Sequence, residues 1–375
     1  MRGIKRATLA VVATAAAAVV GGGLVAGPAL ASGHNSFIGR FPTNSQGPST
    51  VPANGDVNPY GVAVVKQSAG MLQSGNVLVS NFNNAGNFQG TGTTIVQVSP
   101  GGTVTQFAHI TPRSLPTPCP GGIGLTTALE ILRGGWVVVG SLPTAHKGTV
   151  FTGAGCLIVL NNEGKPVETI SGHGINGPWD MGMMQSGPFS ELFVSNVLNG
   201  TVAAGGQVVH RGTVVRLTLG TFGGNPPQLL GATTVGSGFA ERTDPDALVI
   251  GPTGLGVASN GTVYVADTLA DRIAAIPDAV SRPTSAGRGR NVTTGGALNL
   301  PLGLVIAPGG HILTVNAGDG NIVETTPTGV QVAVRQLDSS GSPPGSGALF
   351  GLAVAPHASG VYYVDDATNN LNLLH

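Results

Sequence analysis

The chain reads as an all-β protein, a six-bladed β-propeller closed by an N-terminal strand, and three observations point there. A phrase repeats along it, most completely as Gly251-Pro-Thr-Gly-Leu-Gly-Val-Ala-Ser-Asn-Gly-Thr-Val-Tyr-Val-Ala-Asp-Thr-Leu-Ala-Asp-Arg-Ile273: a Pro/Gly-led apolar strand, a turn, a strand ending in Asp, a third strand. No window carries the apolar period of an amphipathic helix; the apolar segments are short, β-branched and bounded by Gly, Pro, Asn and Ser. The 61 Gly and 26 Pro supply turns at a density that would also suit disorder, but the regular Val/Ile/Leu strands between them argue for a packed fold.

Aligned on Val-Tyr-Val-Ala-Asp267, five further second strands end at Asn81, Ser141, Asn196, Asn316 and Asp366. Each is preceded by an apolar first strand with small residues near its start: Pro59-Tyr60-Gly61, Gly121-Gly122-Ile123-Gly124, Gly177-Pro178-Trp179, Pro252-Thr253-Gly254, Pro301-Leu302-Gly303 and Leu349-Phe350-Gly351. The spacing, roughly 40 to 70 residues, is that of propeller blades with variable loops. The sixth unit stops after a third strand at His375. The free segment Ser36–Phe41 is therefore expected as the outermost strand of the blade containing Val361–Val364, which would remove an exposed edge.

These repeats resemble NHL repeats, and the chain from about residue 58 to its end is similar to the six-bladed senescence-marker/gluconolactonase-like group. That resemblance implies a functional site where first strands begin and second strands end, and a metal-dependent lactone hydrolysis. The metal-binding Glu of the group falls on Asn176, before Gly177-Pro178-Trp179-Asp180, and its later Asn and Asp ligands fall on Thr253, Leu302 or Phe350. These departures remove most of the expected ligands.

Residues 1–31 read as a secretory signal: Arg2, Lys5 and Arg6 precede the apolar run Ala7–Val25, and Ala29-Leu30-Ala31 fits a cleavage site. The run is also long enough for an uncleaved anchor. The rest, 32–375, reads as one propeller domain, secreted or in the cell envelope, with no membrane partner after cleavage. Three of the 17 basic residues leave with the signal, so 14 face 17 acidic ones, a dispersed balance with no footprint for nucleic acid. Cys119 and Cys156 are the only thiols, and an even count in a secreted chain favours a bridge between them.

Candidate site residues follow from the expected face. The second-strand ends Asn81, Ser141, Asn196, Asp267, Asn316 and Asp366 form a ring of oxygens that either holds a weakly bound Ca²⁺ or satisfies the N–H groups of its own turns. Asn176 and Asp180 join it, Asp180 as a base near the channel or as part of a Trp-Asp strand start. His109, His146, His173 and His210 fall on the same expected face and are weak candidates for Zn²⁺ or Cu²⁺. The glycine-rich stretches open strands rather than helices, so they offer no phosphate site. The leading functional expectation is a module binding an extracellular ligand or protein through its loop-rich face; the alternative is a metal-dependent hydrolase or lyase.

Overall fold

The computed structural model describes residues 36–375 apart from 146, 149 and 246; the signal at 1–31 and His146 lie outside the described residues. Six antiparallel sheets follow one another as blades of a propeller. Their inner strands are Val57–Val64, Leu125–Leu132, Pro178–Ser186, Pro252–Val257, Pro301–Ile306 and Leu349–Val354. Second strands end at Asn83, Ser141, Asn196, Asp267, Asn316 and Asp365. Successive residues of these strands are buried because each blade is covered on both faces by its neighbours, which explains runs such as Val77–Asn83 that are buried throughout. Among the described residues no helix is long and apolar enough to cross a membrane.

The ring closes through an N-terminal strand, but through Asn44–Ser45 and not Ser36–Phe41. Asn44 pairs with Leu374 and Ser45 with Leu373, and Thr43 and His375 exchange backbone hydrogen bonds at 2.8 and 2.9 Å. Residues Ile38–Arg40 instead form a 3-10 turn. The reason is burial: Phe37 and Ile38 are adjacent and both enter the core between blades five and six, which a strand with alternating faces cannot arrange. Glu324, buried on the third strand of blade five, holds this turn. It accepts hydrogen bonds from Ser36 Oγ at 2.7 Å, Phe37 N at 2.8 Å and Ile38 N at 2.9 Å, and contacts His311 Nδ1.

Blade three departs from four strands. Its third and fourth strands, Val209–Gly220 and Gln228–Asp244, form a long hairpin, and a fifth short strand, Leu248–Ile250, pairs back onto Arg242–Asp244. The repeat phrase carries no trace of this insertion. In blade two, Cys119 and Cys156 form a disulfide with Cα atoms 5.6 Å apart, closing a loop with a sequence separation of 37. Loop-closure entropy puts its contribution at about 4 kcal/mol, so a Cys119→Ser, Cys156→Ser double variant is expected to melt well below the parent in calorimetry.

Burial pushes the Glu324 carboxyl up, but its bonds to Phe37, Ser36, His311 and Ile38 outweigh this and hold it below the usual glutamate range. A folded pKa depressed below the unfolded one stabilises above the unfolded value, and the contribution fades as pH falls through the folded value. Glu324→Gln is therefore expected to cost about 2–3 kcal/mol at neutral pH. The gap to the parent should shrink in acid, as urea titrations at stepped pH would show; a constant gap would contradict this role.

Candidate functional site

Strand register builds the propeller axis as a stack of tiers. Val62, Leu129, Met181, Leu255, Leu304 and Leu352 each pair with the residue two places before the end-of-strand ring position: Val79, Val139, Val194, Val265, Thr314 and Tyr363. One residue earlier in each inner strand stand Gly61, Ala128, Asp180, Gly254, Gly303 and Gly351. Here neighbouring inner strands touch backbone to backbone: a Cβ at Gly303 would lie 1.9 Å from the Phe350 carbonyl oxygen, and one at Gly351 would lie 2.1 Å from that of Tyr60. Only blade three places a long side chain at this level. The Asp180 carboxylate spans the seam to blade four and accepts the Leu255 N–H at 2.9 Å.

One residue earlier again, Tyr60, Thr127, Trp179, Thr253, Leu302 and Phe350 make a floor. Tyr60 stacks on Phe350 at 4.0 Å and on Phe82 at 4.4 Å between ring centroids, with Trp179 6.2 Å away. The blade-three extension lies over this floor: Ala247, Leu248, Val249 and Ile250 are all buried in the same cluster, and Trp179 Nε1 donates to the Val249 carbonyl at 3.0 Å. The end of the axis where inner strands begin, which sequence reasoning takes for the ligand face, is thus filled by apolar side chains.

The axis opens at the opposite end. A cavity of about 600 Å³ runs from the level of Thr127 and Asp180 to a mouth formed by Lys66–Ala69, Leu132–Gly135 and Gln185. Two carboxyl groups face it. Burial pushes Asp180 up to about 8, with the Glu130 charge adding to the effect. Burial likewise pushes Glu130 up to about 7, opposed by Lys66 at the mouth. Glu130 lies on blade two and Asp180 on blade three, and the Glu130 charge acts on Asp180 across the cavity. Thr127, 3% exposed, lines the same cavity with a hydroxyl that has no hydrogen-bond partner.

The predicted ring behaves differently. Asn81 bonds the Thr50 carbonyl at 3.1 Å; Ser141 bonds Gly124 N and the Gly122 carbonyl, both at 3.0 Å. Asn196 accepts from Asn176 N at 3.1 Å, and the Asn176 amide bonds Asn199. Asn316 donates to the Ala297 carbonyl at 2.7 Å. Asp267 caps no N–H of the turn that follows it; its carboxylate meets Arg272 at 2.8 Å and Arg288 at 3.5 Å. The sixth ring position is Asp365, which pairs with Leu349, so Asp366 lies one residue beyond the ring. Burial and the Asp365 charge push Asp366 up to about 7. His109 pairs with Thr94 on the outer strand of blade one, His210 sits opposite Ala240 on blade three, and His173 lies in an exposed turn. Among the described residues no group of three or more His, Cys, Asp or Glu could hold a metal ion.

No protein-family model matches the chain, and no curated protein matches it. Solved structures do resemble it. A gluconolactonase from Xanthomonas campestris aligns with TM-score 0.53 at 12% identity over 89% of this chain and 97% of its own. The calcium-binding protein regucalcin from Agrobacterium tumefaciens gives 0.52 at 14% over 88% and 94%. A PQQ-bound aldose sugar dehydrogenase from Streptomyces coelicolor gives 0.52 at 16% over 88% and 97%. The shared feature is the six-bladed propeller. At these identities the likeness establishes the fold alone.

A divalent cation shared by the ring does not fit this donor set. Asp267 keeps one unpartnered buried oxygen, as does Asn316, but the Asp267 charge is already balanced by two guanidinium groups, and charge count tunes Ca²⁺ affinity. Asp267→Ala would strand Arg272, whose side chain is 11% exposed, and is expected to cost about 3 kcal/mol. Calcium at millimolar concentration should shift the melting temperatures of parent and variant equally. A rise confined to the parent would restore the ring as a metal site.

Proposed function

We propose that the protein is a hydrolase acting on a small organic molecule held in the axial channel, with Glu130 and Asp180 as its acid–base pair. The observation that carries this reading is the pair itself: two carboxyl groups whose pKa values stand near neutrality, facing one cavity of about 600 Å³. Cavities of that size take small ligands, and perturbed carboxyl groups lining one mark catalytic sites. The reading takes the gluconolactonase-like alternative for its class of reaction and leaves aside the family's metal. A module that only binds would gain nothing from two acids in its pocket whose partners, Leu255 N–H for Asp180 and Lys66 for Glu130, fall short of the desolvation cost.

The chemistry follows from the two environments. Glu130, as carboxylate, takes a proton from water as that water attacks an ester or lactone carbonyl. Asp180, as carboxylic acid, donates its proton to the oxygen that leaves. The product acid and alcohol then depart through the mouth at Lys66–Ala69 and Leu132–Gly135, and the proton returns from Glu130 to Asp180. The sealed floor keeps bulk water from entering behind the substrate. A location outside the cytoplasm accords with the buried Cys119–Cys156 disulfide.

Glu130 must be ionised, so the rate should rise through the lower apparent pKa of the pair, about 7. Asp180 must be protonated, so the rate should fall through the higher one, about 8. The expected profile of kcat/KM is a bell with its maximum between these values. Glu130→Gln should remove the acid limb and Asp180→Asn the alkaline limb, each lowering kcat by about 10²–10⁴. Glucono-δ-lactone, short alkyl lactones and aryl esters make the first panel. Hydrolysis that survives both substitutions would place the chemistry elsewhere.

A further inference from the structure

The tiers of the channel also bear on what it binds. Between the two acids lies the ring Val62, Leu129, Met181, Leu255, Leu304 and Leu352, six apolar side chains, one from each blade. Two residues further along the inner strands stands a second apolar tier, of which Val64, Ile131, Met183, Ile306 and Val354 line the cavity. The side chains able to hydrogen-bond a ligand at depth are few: Thr127, Glu130 and Asp180. Among the described residues the cations lining the cavity are Lys66 and Arg133, both exposed at its mouth; Lys66 is already engaged by Glu130, Arg133 donates to the Gly187 carbonyl, and neither acts on Asp180 at the bottom.

We propose that the channel takes an uncharged molecule with a hydrocarbon body and a single carbonyl-bearing polar group, which in the hydrolytic reading is an alkyl lactone or ester rather than a polyhydroxylated sugar lactone. The apolar tiers remove a hydrocarbon chain from water. A polyol would exchange a full shell of water hydrogen bonds for walls with three side-chain partners, losing what its buried hydroxyl groups cannot recover. The carbonyl group finds Thr127 and Asp180 at the bottom of the cavity and Glu130 on the far side of the apolar ring. Met181 and Met183, unbranched and polarizable, adapt to the shape of the chain. This inference rests on the hydrolase reading only for the bond broken; the ligand class stands on the lining.

Binding and turnover separate the two. Titration calorimetry on the intact protein would use non-hydrolysable lactams: N-hexyl-δ-valerolactam and the lactam of gluconic acid. The alkyl lactam is expected to bind at least about 30-fold more tightly, as burial of several methylene groups requires. Met183→Gln, at a half-buried wall position, should cut that ratio about tenfold or more without changing the melting temperature; Met181→Gln is the second variant, checked for folding in the same way. Equal binding of the two lactams, or tighter binding of the sugar lactam, overturns the ligand class whatever the enzyme hydrolyses. Selective binding of the alkyl lactam supports the class even where neither lactone is turned over, and that second result counts against the hydrolase alone.

Discussion

The structure depends on how closely six inner strands can approach around one axis. At one level they meet backbone to backbone, which is why Gly61, Gly254, Gly303 and Gly351 stand there and why a Cβ at Gly254 would lie 2.2 Å from the Leu302 carbonyl oxygen. That contact sets the tier spacing of everything else on the axis. Residues one step away point their side chains into a common ring, so an aromatic floor and an apolar wall arise from alternation along a single strand repeated six times. Asp180 is the departure from this rule. Its side chain replaces a direct strand–strand contact with a carboxylate bridge to Leu255, at the cost of burying an acid.

Function on this scaffold turns on which end of the axis is open. The aromatic stack and the strap at Ala247–Ile250 fill the end where inner strands begin. Leu248 adopts a left-handed backbone, φ 64°, in the tight return of that strap, a conformation that a bulky residue adopts only when its surroundings hold it there. Burial of four consecutive residues of the strap, together with the Trp179 hydrogen bond, supplies that hold. The same plug that removes one ligand face closes the bottom of the cavity, so Asp180 there sits far from bulk water and its carboxyl is pushed up to about 8.

Closure of the ring shows a division of labour among neighbouring residues at the N-terminus. Residues 36–38 anchor by hydrogen bonds to Glu324 and by apolar contact in the core of blades five and six, whereas Asn44–Ser45 supply a short ladder to Leu373–Leu374 that Pro48 and Thr50 continue through backbone bonds to Leu371 and Asn369. Tyr363 ties the two parts together by donating from its hydroxyl to Asn44 Oδ1 at 2.6 Å. A two-residue strand is too short to hold the last blade by itself; the anchor before it makes the closure effective.

The six-fold repeat, the all-β class, the partnership of Cys119 with Cys156 and the need for an N-terminal closing strand were all legible in the sequence, because each follows from local pattern: β-branched runs, turn residues, an even thiol count and a missing fourth strand. Asp180 was legible as a carboxyl beside Trp179 at the start of a strand, as a base near the channel or a part of that strand start; its place in a tier where four other blades carry glycine emerges from strand register. Its partner was not legible. Glu130 lies in a loosely matching repeat with one extra residue, and only strand register brings it into the same cavity as Asp180. The ring of strand-end oxygens was equally legible, but side chains such as Asn81 and Asp267 are committed to Thr50 and Arg272, contacts set by chain segments far away or across a turn. Which end of the channel stays open was decided by tertiary structure alone. It depends on where an inserted segment of blade three comes to rest, and burial against residues from four other blades, not its own sequence, determines that position.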